Sequence, residues 1–261
     1  MSEAVRSAVA ELAGDLRDWL EYAQETGADY LPWEPPAPRQ AAPPRAESQA
    51  RAQPRPSRPR VELPPPRPRA APGGASQGQA LDAIRAELGD CRRCGLHEGR
   101  RNIVFGVGRP SADLVVVGEA PGRDEDLSGE PFVGRSGQLL TRMLAAIGVP
   151  REDAYICNVL KCRPPRNRDP EASEIATCSP FLARQIAAIA PKVIITTGRF
   201  ASQTVLGLDL NMGQLRGTVR SFEGVPVVPM YHPAYLLRNP SAKRQTYADL
   251  LQVKSLMLEG H

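Results

Sequence analysis

The sequence has no long apolar run and few histidines. Among its 261 residues there are 3 histidines and 5 cysteines. No apolar stretch approaches the roughly 20 residues that a membrane-spanning helix needs. Acidic residues stand near the N-terminus, where a secretory leader would carry lysines. These absences exclude a membrane protein and predict a soluble, intracellular protein of the cytoplasm.

Proline and charge divide the chain into three parts. Residues 1–31 have apolar side chains at helical spacing, which predicts an amphipathic helix that is too short to fold alone. This helix docks on the main domain or on a partner protein, and the sequence does not choose. Residues 32–79 are rich in Ala, Pro and Arg and predict a disordered, basic linker. A main domain over residues 80–261 remains.

Short β-rich runs alternate with helical stretches from about Leu81 onward. Strands are predicted at residues 114–118, 155–160, 193–197 and 225–230. Runs such as LVVV and VIITT are apolar on both faces, which is typical of parallel strands covered by helices on both sides. The predicted fold class is α/β, with three α/β/α layers around a central, mostly parallel four-stranded sheet.

Four of the cysteines form two pairs, Cys91-x2-Cys94 and Cys162-x15-Cys178. In an intracellular protein such pairs are expected to be metal ligands and not disulfides. Four thiolates fit either a structural tetrahedral zinc or a four-iron cluster. The wide second spacing favours iron–sulfur, and four unrelated buried thiols are the alternative. Cys157, in the apolar run AYICNVL, is predicted to be a core thiol.

Three motifs follow predicted strands, at the sheet edge where parallel sheets bind ligands. GEAPG (118–122) makes a tight loop whose N–H groups can face a carbonyl or an anion, but it lacks the glycine pattern of a dinucleotide site. In NVLKC (158–162), Asn158 can read a pyrimidine edge or tie down a turn. In HPAYLLR (232–238), the place of His232 at a strand end favours a functional role over a structural one.

The chain resembles the family 4 uracil-DNA glycosylases, the iron–sulfur branch of their superfamily, in three motifs and in the order and spacing of the paired cysteines. The motifs are GEAPGRDEDLSGEPFVGRSGQLL (118–140), NVLKCRPPRNRDP (158–170) and HPAYLLR (232–238). The resemblance covers about residues 81–258. It implies a [4Fe-4S] cluster on the four cysteines and hydrolysis of the N-glycosidic bond of uracil in single- or double-stranded DNA. A monomer is expected, nucleoid-associated as its substrate demands.

The resemblance also implies roles for single residues. The pocket would be lined by backbone groups of Gly118, Glu119 and Ala120, with Phe132 stacked on the flipped base, Asn158 paired with its edge and His232 facing uracil O2. A donor at O2 stabilises the charge that develops as the uracil anion leaves. A dry stacking pocket offsets an unstacking cost of a few kcal/mol.

A carboxylate that orients water is not obvious. Family 1 enzymes carry an Asp at the place of Ala120. Family 4 enzymes lack this Asp, as this chain does. Glu125 or Asp126, just downstream, is the nearest carboxylate, and Glu125 is preferred. A solvated charge cluster at a helix start is the alternative.

Two segments are predicted to contact the DNA around the base. The basic loop with Lys161, Arg163, Arg166 and Arg168 follows a cysteine ligand and would contact phosphates. After His232, Tyr235, Leu236 and Leu237 would wedge into the gap left by the base, with Arg238 nearby. Packing of a helix start is the alternative for this second segment.

Two other functions are alternatives. Family X glycosylases trap uracil-DNA through a histidine in an inserted loop, and CRPPRNRDP has neither the insertion nor a histidine. A non-catalytic iron–sulfur DNA-binding or electron-transfer protein is a different class. It would not need Phe132, Asn158 and His232 together.

Overall fold

The computed structural model describes residues 76–259, so the predicted helix over 1–31 and the linker up to residue 75 lie outside the described residues. The end of the predicted linker is wrong, because helix α1, Gln77–Leu88, begins there. Ser76 accepts a hydrogen bond from Gln79 N, and the Gln79 side chain accepts one from Ser76 N. This capping box starts the helix four residues before Leu81, the first residue of its apolar pattern.

One six-stranded sheet, in the order β1-β3-β2-β4-β6-β5, forms the centre of the described part. The four predicted strands are its inner, parallel strands: β2 Leu114–Gly118, β3 Tyr155–Asn158, β4 Val193–Thr197 and β6 Val225–Met230. The predicted number of four is corrected to six by two antiparallel edge strands, β1 Val107–Gly108 and β5 Arg220–Phe222. Such short strands give no readable alternation of apolar and polar residues.

Strand β3 ends at Asn158, two residues before its predicted end. Val159 N still donates to Gly118 O at 2.9 Å, and Leu160 N donates to Glu119 O at 3.0 Å. The segments that follow β2 and β3 therefore leave the sheet side by side.

Helices cover both faces of the sheet. After α1 they are α2 Arg123–Ser128, α3 Arg135–Ala145, α4 Ala172–Ile189, α5 Arg199–Leu206, α6 Met212–Leu215, α7 Pro233–Arg238 and α8 Lys243–Glu259. Between residues 76 and 259, no helix has the length and apolar character needed to cross a membrane.

The sheet separates two apolar cores, as strands apolar on both faces predict. On one face Val116 and Ile156 pack with residues of α3 and α8. On the other face Val115, Val117 and Cys157 pack with residues of α4 and α5. The predicted α/β/α layering is confirmed, and Cys157 is a core thiol with 0% exposure, as predicted.

Candidate functional site

The carboxyl ends of the inner strands meet at one edge and surround a cleft of about 410 Å³, a size suited to a small ligand. Gly118 pairs with Asn158 in the strand register, and Gly198 N donates to Met230 O at 2.9 Å beside His232. Residues of the predicted site that line the cleft are Glu119, Ala120, Glu125, Phe132, Asn158, Arg168, His232, Tyr235 and Arg238. Ser136, in the first turn of α3, and Asn167 also line it and were missed, because a single serine or asparagine carries no distinctive pattern.

Gly118 stands where the cleft allows no side chain. A Cβ at this position would overlap Asn158 Oδ1 and lie 2.6 Å from Phe132 Cε2. The glycine is therefore required by close approach of two side chains and not by its backbone angles. The Asn158 amide and the Phe132 ring both pack directly against the Gly118 backbone.

Asn158 carries an unpaired acceptor. Its side chain is 2% exposed, and its Oδ1 is buried without a hydrogen-bond partner among the described residues. A buried amide oxygen normally has a donor, and leaving it without one costs about 1–3 kcal/mol. Since Asn158 lines the cleft, the missing donor is expected on a ligand.

Phe132 holds a strained backbone conformation beside that amide. Its φ is 53°, in the left-handed region, which costs a non-glycine residue about 1–3 kcal/mol. Gly137 makes room for it, since a Cβ there would overlap Phe132 O. The Phe132 ring is stacked near His232, with ring centroids 5.7 Å apart and an interplanar angle of 28°.

Glu125 fixes the loop that carries Phe132. Its Oε1 accepts hydrogen bonds from Val133 N at 3.0 Å and Gly134 N at 3.1 Å, and its Oε2 accepts one from Gly122 N at 3.0 Å. These contacts give Glu125 a positioning role, while water orientation by Glu125 stays a prediction. Asp126 is 3% exposed, and its Oδ1 accepts from Arg101 N at 2.9 Å, so it faces away from the cleft.

Glu119 brings a second carboxyl group into the cleft. Its pKa is raised to about 7, mainly by burial and also by the charge of Asp169, while the charge of Arg199 opposes both. The sequence indicated only its backbone groups. The raised pKa depends on packing around the cleft, which no local pattern reveals.

His232 begins helix α7 as its N-cap. Its Nδ1 accepts a hydrogen bond from Ala234 N at 3.1 Å. Burial lowers the pKa of the imidazole to about 4, and the charge of Arg238 lowers it too. The ring is therefore neutral near pH 7, with its proton on Nε2, because Nδ1 serves as the acceptor.

Lys161 does not lie on the surface, so its prediction as a phosphate contact is wrong. It is 1% exposed, and its Nζ donates to Asn158 O at 2.7 Å and to Gln185 Oε1 at 2.6 Å. A charged residue in a basic loop is usually solvated, and here tertiary contacts override that tendency.

The three arginines of the same loop differ in accessibility. Arg168 pairs with Glu174 at 2.6 Å and Glu171 at 3.1 Å, so its charge is largely engaged within the chain. Arg163 Nε donates to Asn167 Oδ1 at 2.7 Å. Arg166 is exposed, at a left-handed φ of 54°. Phosphate contacts by these arginines stay predictions.

Helix α7 presents one of its three predicted wedge residues to the cleft, since Leu237 is partly buried against the apolar core and does not line the cleft. Leu236 is 0% exposed and packs in the core, so its prediction as a wedge is wrong. Tyr235 is 38% exposed and lines the cleft, and its ring stacks on that of Tyr231 with centroids 4.9 Å apart. Arg238 is exposed at the same rim.

The four paired cysteines surround one cavity at the far side of Lys161. Leu88, Ile103 and Phe181 complete much of its apolar wall. Arg93 Nη1 donates to Cys91 Sγ at 3.2 Å, and Arg100 Nη1 donates to Cys162 Sγ at 3.5 Å. Within residues 76–259, no group of three or more His, Cys, Asp or Glu side chains is arranged around a point that would hold a single metal ion.

The chain is therefore an α/β protein with a cleft at the carboxyl ends of its parallel strands. The model of the uracil DNA glycosylase superfamily matches residues 105–252. A type-4 uracil-DNA glycosylase of Archaeoglobus fulgidus is 48% identical over 186 residues, 68% of this chain and 94% of the relative. One of Thermotoga maritima is 43% identical over 183 residues, 69% of this chain and 95% of the relative.

A more distant relative has a different type. A type-5 uracil-DNA glycosylase of Pyrobaculum aerophilum is 32% identical over 160 residues, 55% of this chain and 70% of the relative. The chain therefore belongs to the uracil-DNA glycosylase superfamily and, within it, to the type-4 uracil-DNA glycosylases.

Proposed function

We propose that this protein is a DNA-repair enzyme that hydrolyses the N-glycosidic bond of uracil in DNA, which releases uracil and leaves an abasic site. One observation carries this function most directly, the buried and unpaired Oδ1 of Asn158 in the cleft. Uracil presents an N3–H donor beside its O4 acceptor, and an asparagine amide matches both. Phe132 offers a stacking surface beside this amide.

His232 supports the chemical step. Its Nε2–H can donate to uracil O2 as negative charge develops on the leaving base, and a neutral imidazole leaves that proton in place. The backbone groups of Gly118, Glu119 and Ala120 line the same end of the cleft in this proposal. Arg163, Arg166, Tyr235 and Arg238 contact the DNA around the extruded nucleotide.

Gly118 provides a sharp prediction, since the cleft has no room for a methyl group there. Gly118→Ala is expected to lower the single-turnover excision rate about 100-fold, because a displacement near 1 Å has this effect on reacting groups. Gly99→Ala is the matched control, since a Cβ at Gly99 meets no atom within 4 Å. Equal rates for Gly118→Ala and the parental protein would show that Asn158 and Phe132 are not held as the cleft requires.

Water activation fits Glu119 better than Glu125, whose oxygens already bind three backbone N–H groups. A base must be deprotonated to accept a proton from water, and burial brings the pKa of Glu119 to about 7. The single-turnover rate is therefore expected to rise with pH through about 7 and then level off.

Glu119→Gln tests this assignment. The variant is expected to excise slowly and without the rise between about pH 6 and pH 8. Glu125→Gln is expected to keep the rise, even where loss of its loop contacts slows excision. A rise that persists in Glu119→Gln would assign the titration to another group.

We also infer that Cys91, Cys94, Cys162 and Cys178 hold a [4Fe-4S] cluster. The four thiols line one apolar cavity, Cys91 accepts an N–H hydrogen bond from Arg93, and Cys162 accepts one from Arg100. These features suit thiolates bound to iron. When bound, the cluster supplies a cross-link between the segment before Arg100, the loop after β3 and helix α4. The excision chemistry stays with the cleft residues.

Metal analysis tests the cluster. Anaerobically purified protein is expected to contain about four iron atoms and about four acid-labile sulfides per chain. Cys178→Ser is expected to lose most of this iron, while Cys157→Ala, the matched control in the core, is expected to keep it. Stoichiometric zinc after iron-replete expression would contradict the inference.

The parts before residue 76 contribute to DNA attraction in this proposal. Residues 36–79 carry eight arginines against two acids, which favours salt-sensitive contact with phosphates. The cleft and the cysteine cavity are lined entirely by residues from Leu88 onward. The enzyme acts as a monomer in the cytoplasm. The segment over 1–31 binds either a partner protein or the main domain.

A further inference from the structure

Lys161 sits between the cleft and the cysteine cavity, and its side chain is among the largest that are fully buried. Its Nζ donates to Asn158 O at 2.7 Å and to Gln185 Oε1 at 2.6 Å. Burying an amine is costly unless hydrogen bonds replace its hydration. The two short contacts provide that replacement, so the amine has a built site inside the protein.

Gln185 is itself held in place by two further hydrogen bonds. It is 0% exposed on helix α4, and its Nε2 donates to Phe105 O at 3.0 Å and to Tyr155 Oη at 3.2 Å. Its orientation is therefore fixed, with Oε1 turned to Lys161. A fully satisfied buried network of this kind is rigid.

Helix α4 also holds the backbone of Lys161. Lys161 N donates to Cys178 Sγ at 3.4 Å, and Lys161 O accepts from Val104 N at 2.8 Å. Cys178 and Gln185 lie seven residues apart on α4, which is about two helical turns, so they share one face. Helix α4 thus accepts hydrogen bonds from both the backbone and the side chain of Lys161, at Cys178 and Gln185.

The other end of this network is the residue that reads the base. The carbonyl of Asn158 accepts from Lys161 Nζ, while its side chain lines the cleft and its Oδ1 is buried without a partner among residues 76–259. Fixing the carbonyl fixes the peptide plane from which the side chain projects. Lys161 itself does not line the cleft.

We propose that Lys161 is a positioning residue for base recognition: its amine ties the backbone of Asn158 to Gln185 on the cysteine-bearing helix α4 and so aims the Asn158 amide at uracil. This inference rests on the proposed function. It explains why Lys161, beside Cys162, is buried when the arginines of the basic loop are not. It also gives the cysteine-bearing helix a mechanical link to base selection.

A double-mutant cycle tests the link. Lys161→Met keeps a similar length without hydrogen-bond donors, and it is expected to lower the single-turnover excision rate about 10- to 100-fold, the range for loss of hydrogen bonds to a charged group. Inhibition by free uracil is expected to weaken by a similar factor, while iron content and affinity for uracil-free duplex stay at parental values. In the Asn158→Ala background, Lys161→Met is expected to have no further effect, because it acts through Asn158.

A second variant covers a failure of Lys161→Met to fold. Gln185→Met removes the acceptor on α4 and is expected to show the same lack of additivity with Asn158→Ala, whereas Gln185→Glu keeps an acceptor and is expected to retain most of the rate. Multiplicative effects in either cycle, or iron loss in Lys161→Met at an unchanged response to free uracil, would overturn the positioning role. The parental rate and the Asn158→Ala rate in the same cycle test the proposed function separately.

Discussion

Asn158→Ala is expected to lower the single-turnover rate of uracil excision by about 100- to 1,000-fold, because two hydrogen bonds to the base edge are lost from a buried site. Affinity for uracil-free DNA is expected to stay near the parental value, since phosphate contacts dominate that affinity. The Asn158 side chain is 2% exposed, and its Oδ1 has no hydrogen-bond partner among residues 76–259. Its removal therefore leaves no other protein group without the partner of that oxygen.

Asn211→Ala is the matched control for this change. Asn211 is exposed, caps helix α6 and accepts from Gln214 N at 3.1 Å, away from the cleft. Its replacement is expected to cost about 1 kcal/mol of stability and to leave the excision rate unchanged. Parallel losses of excision and DNA binding in Asn158→Ala would indicate a structural asparagine.

His232→Ala is expected to lower the single-turnover rate by about 100- to 1,000-fold, the usual effect of removing one donor from a developing anion. The single-turnover rate is the proper measurement, because it separates bond cleavage from product release. The ratio of the parental rate to the His232→Ala rate is expected to stay constant well below pH 6.5, even while the titration of Glu119 lowers both rates, because burial lowers the pKa of this imidazole to about 4.

His232→Gln separates hydrogen bonding from packing. A glutamine amide can accept from Ala234 N, as His232 Nδ1 does, and can donate from its Nε2. An intermediate rate is expected for this variant. If His232→Ala cleaved uracil at the parental single-turnover rate, His232 would have no part in the chemical step.

The strand ends could be predicted from the sequence because the inner strands have long apolar runs. Parallel strands covered by helices place their carboxyl ends at one edge, so Gly118, Asn158 and His232 were expected in one cleft. In the structure Asn158 and His232 line this cleft, and Gly118 lies directly beside Asn158. The edge strands Val107–Gly108 and Arg220–Phe222 could not be predicted, since two or three residues show no period.

Errors in the predicted site come from tertiary packing. Lys161 and Leu236 both stand in motifs with exposed neighbours, and the structure buries both. A loop sequence does not state which of its side chains turns inward, because that depends on acceptors from distant elements such as Gln185. The same reason hid the carboxyl of Glu119, whose raised pKa depends on the walls of the cleft.

Release of free uracil is the most direct measurement of the central claim. Purified protein would be incubated with single- and double-stranded oligonucleotides that carry one uracil, and free base and alkali-labile sites would be quantified together. Equal amounts of uracil and abasic sites are expected, with none from matched thymine oligonucleotides and strongly reduced amounts from Asn158→Ala. Binding of the uracil oligonucleotide without release of free base would contradict the glycosylase function and favour a non-catalytic DNA-binding protein.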